Sequence, residues 1–201
     1  VNASMPQVLE NRRLRGHAAS PKPTRVGMAV DDRNADATQS AGQELRFTLD
    51  GSQSLERHLN RICRRVRTEL QSIIPAEKLT GILLGGGYGR GEGGVLRTPD
   101  GDRPYNDLEF YVFLDDRFGL TARRLGPALH ALHERLTELA GIEVEFKLLT
   151  LESLRASAPT MFYYDLVMGH RWLVGDESLL AGCEHHRQAD RLPLDEATRL
   201  W

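Results

Sequence analysis

The chain has 201 residues, 26 basic against 28 acidic, for a formal charge of −2. That length suffices for one domain with its own core, and the near-balance of charge excludes a global attraction to nucleic acid or to a membrane surface. Cys63 and Cys183 lack CxxC spacing and read as reduced thiols, no apolar run approaches the ~20 residues of a membrane span, and no signal peptide is evident, so a cytoplasmic location is the default expectation.

Residues 1–44 are rich in Ala, Ser, Asn, Asp and Arg and show no sustained period, which predicts a disordered leader. Its basic patch (Arg12, Arg13, Arg15) reads as a solvated tail rather than a nucleic-acid contact. From Ser54, the expected N-cap, Leu55, Leu59, Ile62, Val66, Leu70 and Ile73 recur at three- and four-residue steps and predict an amphipathic helix ended by Pro75. Thr80 to Leu84 follows as the first strand.

The stretch from Gly81 to Leu114 carries the chemistry. Ile82, Leu83 and Leu84 run into Gly85, Gly86 and Gly87, then Tyr88, Gly89, Arg90, Gly91 and Glu92. A short helical piece is expected from about Arg90, and Thr98 to Tyr105 reads as an exposed turn centred on Asp100-Gly101. Asn106 to Leu114 is the second strand, with Asp107, Glu109, Tyr111 and Phe113 on one face and Leu108, Phe110, Val112 and Leu114 on the other. A glycine turn lets backbone N–H groups approach a phosphate, and two carboxylates on one strand face can hold a divalent metal against it. Together they point to a nucleotide–metal site. The plain alternatives are a tight turn and two solvent-facing acids, although adjacent like charges are unfavourable without a cation.

Thr121 to Ala140 predicts a second amphipathic helix with a stripe of Leu125, Leu129, Leu132, Leu136 and Leu139, closed by Gly141. His130 and His133 on it read as surface histidines. Ile142 to Thr150 is a third strand, with Glu143, Glu145 and Lys147 on its polar face. Met161 to Leu173 is apolar nearly all round and predicts a buried helix, and Cys183, His185 and His186 read as part of a polar connector. The chain opens on Val1 rather than methionine and closes just after Asp195 starts a helix, so 195–201 reads as the beginning of a truncated C-terminal helical region.

Gly86-Gly87-Tyr88-Gly89-Arg90-Gly91-Glu92, followed by Asn106-Asp107-Leu108-Glu109, resembles the nucleotidyltransferase superfamily that includes DNA polymerase beta. The glycine motif is most similar to the GGYGRGE…DxD type of the uridylyltransferases that modify the PII signalling protein. The resemblance covers roughly Leu79 to Leu180 and departs at two points: Glu109 stands where the family has Asp, and the loop from Gly94 to Asn106 is longer. It implies a third acid on a later strand, and Val144-Glu145-Phe146-Lys147 matches the polymerase branch, with Glu143 as the substitute candidate.

The element order predicts an α/β domain over 45–194, a small mixed sheet flanked by helices, which the resemblance makes a minimal nucleotidyltransferase fold. The resemblance further implies that Asp107, Glu109 and Glu145 are catalytic and hold two Mg²⁺ (or Mn²⁺) ions. Gly86, Gly87, Tyr88, Gly89 and Arg90 would seat a nucleoside triphosphate, ATP first among them, Arg90 either touching phosphate or pairing with Glu92. The acceptor hydroxyl, on a small molecule or a protein, stays open. The competing readings are a catalytically inactive nucleotide-binding or regulatory module of the same fold, and an interaction domain keeping only the scaffold.

Overall fold

The computed structural model describes residues 46–116 and 119–192; the expected leader at 1–44 and the helical start at 195–201 lie outside the described residues. α1 (Gln53–Ile73) buries Leu55, Leu59, Ile62, Val66 and Leu70 along one stripe. Its cap is Ser52, two residues before the expected Ser54, with the Ser52 hydroxyl accepting from Leu55 N–H at 3.5 Å. Glu56 explains the earlier start: its carboxylate accepts from Phe47 N–H (2.7 Å), Thr48 N–H (3.1 Å) and the Thr48 hydroxyl (2.5 Å), tying the incoming segment to the first turn. The last turn closes through Ile74 N–H on Leu70 O, directly before Pro75.

β1 (Leu79–Leu84) then drives into α2 (Gly86–Arg90), which begins four residues earlier than expected, so the glycines themselves form the helical turn. The expected open loop is a hairpin, β2 (Val95–Thr98) and β3 (Gly101–Pro104), with Thr98 paired to Gly101 and Pro99-Asp100 at the bend. β4 (Leu108–Leu114) follows, then α3 (Leu120–Ala140), β5 (Val144–Leu149), α4 (Leu151–Ala156), α5 (Met161–Met168) and β6 (Arg171–Val174). Gly141 ends α3 in the left-handed region at φ +74°, its N–H on Thr137 O. Leu139, expected in the stripe of α3, is 54% exposed, and Ala140 takes the buried position instead.

The sheet order is β5-β4-β1-β6, with β4 parallel to β5 and both other pairings antiparallel. This is a small α/β fold with a mixed sheet flanked by helices, as the element order implied. Alternation along β4 separates two cores. Leu108, Phe110, Val112 and Leu114 pack with α1 and α3, while Tyr111 and Phe113 pack with α4, α5 and the 3-10 turns after β6.

Two expectations are corrected on this second side. The helix expected over 161–173 stops at Met168, and residues 171–174 form β6, satisfying the outer edge of β1. A run apolar on all sides suits a buried strand as well as a buried helix, so its period could not separate them. Cys183 and His186 are buried at 0% exposure, not in a polar connector; the His186 ring bonds Leu154 O at 2.8 Å and stacks near Tyr163. Among the described residues, no helix is long and apolar enough to cross a membrane.

Candidate metal centre

The parallel crossover through α3 sets Glu109 of β4 opposite Glu145 of β5, and Tyr111 opposite Lys147. Asp107 lies two residues before Glu109, just ahead of β4, on the same face. The carboxylates of Asp107, Glu109 and Glu145 therefore meet, one oxygen of each lying within 4.8 Å of the others. Oxygens bound to one Mg²⁺ at about 2.0–2.1 Å are at most about 4.2 Å apart, so a group within 4.8 Å would draw in by up to about half an ångström to hold such an ion. It is the group of three or more His, Cys, Asp or Glu among the described residues with that geometry. Glu143 stays outside it and supplies only its backbone carbonyl, to Leu108 N–H at 2.8 Å.

Lys147 is the counter-charge. Its ammonium lies 2.5 Å from Glu109 Oε1 and 3.3 Å from Glu145 Oε2, and 5.5 Å from the ring centres of Tyr111 and Phe162. The Tyr111 hydroxyl donates to Glu109 Oε2 at 3.3 Å. Glu109, longer by one methylene than the Asp of the family pattern, thus uses one oxygen on Lys147 and the other on Tyr111, which holds its rotamer.

The electrostatics follow from this crowding. Burial, then the charges of Glu109 and Glu145, push the Asp107 carboxyl above its ordinary range, against its own backbone N–H and Lys147. Burial pulls the Lys147 ammonium down, but the Glu109 hydrogen bond and the two carboxylate charges outweigh it and hold the pKa above normal. Burial and the nearby Glu109, Glu145 and Asp165 all push the Tyr111 phenol up, so it stays a donor. Three carboxylates against one lysine leave a local excess of negative charge that suits a dication.

The glycine turn abuts this group. Gly85 N–H donates to Glu109 O at 2.9 Å, and a Cβ at Gly85 would stand 2.5 Å from the Tyr111 ring. Gly86 has φ +59°, and a Cβ there would lie 3.1 Å from Glu109 Oε2. Only glycine lets the turn lie this close to the acid strand. Gly86 and Gly87 sit on the partly open side of α2. The Tyr88 side chain instead points into the core at 1% exposure, its hydroxyl donating to Gly94 O (2.7 Å) and accepting from Tyr105 N–H (3.0 Å). Gly89 is also buried, packed against Leu84 O and His170. Tyr88 and Gly89 thus build the turn and fasten it to the loop before β4. Of the two roles open to Arg90, the ion pair is present, Nε to Glu92 Oε2 at 3.1 Å.

A wide cleft of about 900 Å³ borders α2 through Gly89 and Arg90 and is lined also by Arg46, His170, Arg171 and Arg187, and none of the three acids borders it. Within it His170 Nε2 stands 2.7 Å and Arg187 3.5 Å from Glu177. It gathers arginines rather than metal ligands, so the carboxylate group is the candidate metal centre. His133 is likewise structural, its Nδ1–H on Val144 O at 2.7 Å.

Sequence reasoning missed Lys147, Tyr111 and Phe162 as site components. Lys147 had a signal, standing two residues after Glu145 on the same strand face. Phe162 had none, since α5 joins the site only through packing.

No family model matches the chain, and no curated protein matches it significantly. Among solved structures, it is similar to a chain in the crystal structure of the toxin-antitoxin with AMP-PNP, with 20% identity over 64% of this chain and 91% of that one, at a TM-score of 0.40. It is also similar to a chain in the toxin-antitoxin MntA-HepT, with 19% identity over 66% of this chain and 92% of that one, at a TM-score of 0.39. At such identities and TM-scores the likeness is loose, and what the site can do follows from its own geometry.

Proposed function

We propose that this chain is a metal-dependent nucleotidyltransferase that moves a nucleoside monophosphate from a nucleoside triphosphate to an acceptor hydroxyl and releases pyrophosphate. The observation that supports this reading is the meeting of Asp107, Glu109 and Glu145 within 4.8 Å beside a glycine turn. Those acids would hold Mg²⁺ or Mn²⁺, which when bound neutralises phosphate charge and makes an acceptor hydroxyl more acidic. The remaining work belongs to positioning. Gly86 and Gly87 open the first turn of α2, whose N–H groups by position lack acceptors inside the helix, and they face the triphosphate. Lys147 and Tyr111 hold the Glu109 carboxylate from both sides. The acceptor hydroxyl loses its proton to solvent, its oxygen bonds the α-phosphorus, and the bond from that phosphorus to the pyrophosphate oxygen breaks, pyrophosphate leaving with the electron pair.

One observation favours the inactive-module reading: the Lys147 ammonium already contacts Glu109 and Glu145, giving the acids a partner without a metal. The two readings separate in a transfer assay with purified protein, Mg²⁺ or Mn²⁺, each α-labelled nucleoside triphosphate, and a panel of hydroxyl acceptors including a cell extract. The expected result is label transfer with pyrophosphate release, abolished by Asp107→Asn without loss of the folded state. Wild-type protein that releases no pyrophosphate with any nucleotide or acceptor would leave the inactive module standing.

A further inference from the structure

We infer that Phe162 is the stacking platform for the nucleobase of the triphosphate, an assignment that rests on the metal–triphosphate reading of the site. Phe162 stands in the first turn of α5, which Thr160 caps through its hydroxyl on Tyr163 N–H at 3.2 Å. Its neighbours Tyr163, Leu166 and Val167 are buried in the second core, yet the Phe162 ring is 40% exposed. A lone exposed phenylalanine is ordinary on a protein surface. This one has defined neighbours. Its ring leans on Tyr111 (centroids 5.7 Å apart) and meets Tyr163 edge-on at 5.2 Å. Lys147 Nζ is 5.5 Å from the ring centre and 2.5 Å from Glu109, so one ammonium group separates the ring from the acids.

Gly85 approaches the Tyr111 ring from the β1 side of β4 and Lys147 from the β5 side, while Phe162 stands 5.7 Å from Tyr111 and 5.5 Å from the Lys147 ammonium. Gly86 lies against Glu109, Glu109 against Lys147 and Lys147 near Phe162, so successive contacts join the glycine turn, a carboxylate and the ring, as a triphosphate and its base are joined in the substrate. Every base offers a π-face, so a ring here contributes affinity while tolerating different bases. The adjacent ammonium favours an electron-rich face lying over the ring, as it already does with Tyr111 and Phe162.

The test compares a ligand with a base and one without. Wild-type protein and Phe162→Leu are titrated calorimetrically with Mn²⁺–ATP and with Mn²⁺–tripolyphosphate. Phe162→Leu is expected to weaken Mn²⁺–ATP about 5- to 160-fold, the range found for removing one base-stacking side chain. Its affinity for Mn²⁺–tripolyphosphate should stay at the wild-type value, which also reports that the variant is folded. Phe162→Trp should restore ATP affinity. Unchanged ATP affinity in Phe162→Leu, or equal weakening of both ligands, overturns the platform while leaving the metal–triphosphate reading in place. Wild-type protein that binds neither ligand overturns both.

Discussion

Replacing Lys147 by methionine keeps most of the side chain's length and apolar stem but removes the charge that Glu109 and Glu145 share. The lost contacts are at 2.5 and 3.3 Å, between side chains 20% exposed on Lys147, 25% on Glu109 and 36% on Glu145. Breaking a fully buried pair costs about 3–5 kcal/mol and an exposed one about 0–1, so this intermediate case should cost about 2 kcal/mol without metal. For a domain of this size that is a fall in Tm of roughly 4–8 °C in EDTA. The same ammonium competes with a dication for the same oxygens. Removing it should therefore tighten Mn²⁺ binding, by at most about 30-fold if the whole 2 kcal/mol is recovered. Thermal melts of Lys147→Met and wild type across a Mn²⁺ series measure both quantities. Lower stability in EDTA together with a larger stabilisation by Mn²⁺ is the expected pattern. A variant that binds Mn²⁺ no tighter than wild type would refute the competition, and failure of millimolar Mn²⁺ to stabilise either protein would refute the metal centre.

Gly86→Ala should cost about 1–2 kcal/mol for the left-handed backbone and weaken Mn²⁺ binding, because its Cβ would press on Glu109 Oε2 at 3.1 Å. Wild-type Mn²⁺ affinity in that variant would show that the turn and the acid are not coupled. Burial holds the His186 pKa below the ordinary 6.5, against its bond to Leu154 O and with help from the His185 charge. A histidine depressed in the fold contributes stability that is present above pH 6.5 and lost as the pH falls through its folded value. Urea unfolding from pH 8 to 5 should therefore show a stability loss beginning near pH 6.5, reduced in His186→Gln; an identical slope in both proteins would place the acid sensitivity elsewhere.

Much of the fold was legible because a helix or strand with one buried face writes its period into the chain. The stripes of α1 and α3 show this, as does the alternation of β4, whose apolar residues separate into two cores. The acid pair Asp107 and Glu109 was legible for the same reason, as spacing two on a strand is one face. The glycines were legible as a turn, but not as the helix they form, since five residues from Gly86 to Arg90 are too few to carry a period. β6 was misread because 161–173 reads as one mostly apolar stretch, in which the period does not separate a helix from the short, half-buried edge strand that follows it.

The sequence by itself determined which residues could supply charge, since parity along a strand is a local property of the backbone. It could not choose between Glu143 and Glu145 by parity, because both share a face; family resemblance favoured Glu145, and the parallel register that sets Glu145 against Glu109 places it in the group. That register depends on a crossover through α3, a contact between segments far apart in the chain. The same non-local packing turned Lys147 into the group, pointed Tyr88 inward, buried Cys183 and His186, and brought Phe162 to the edge of the site. Lys147 alone had a local trace, its parity with Glu145; for the others burial and encounter are set by what lies across the sheet, not by neighbours in sequence.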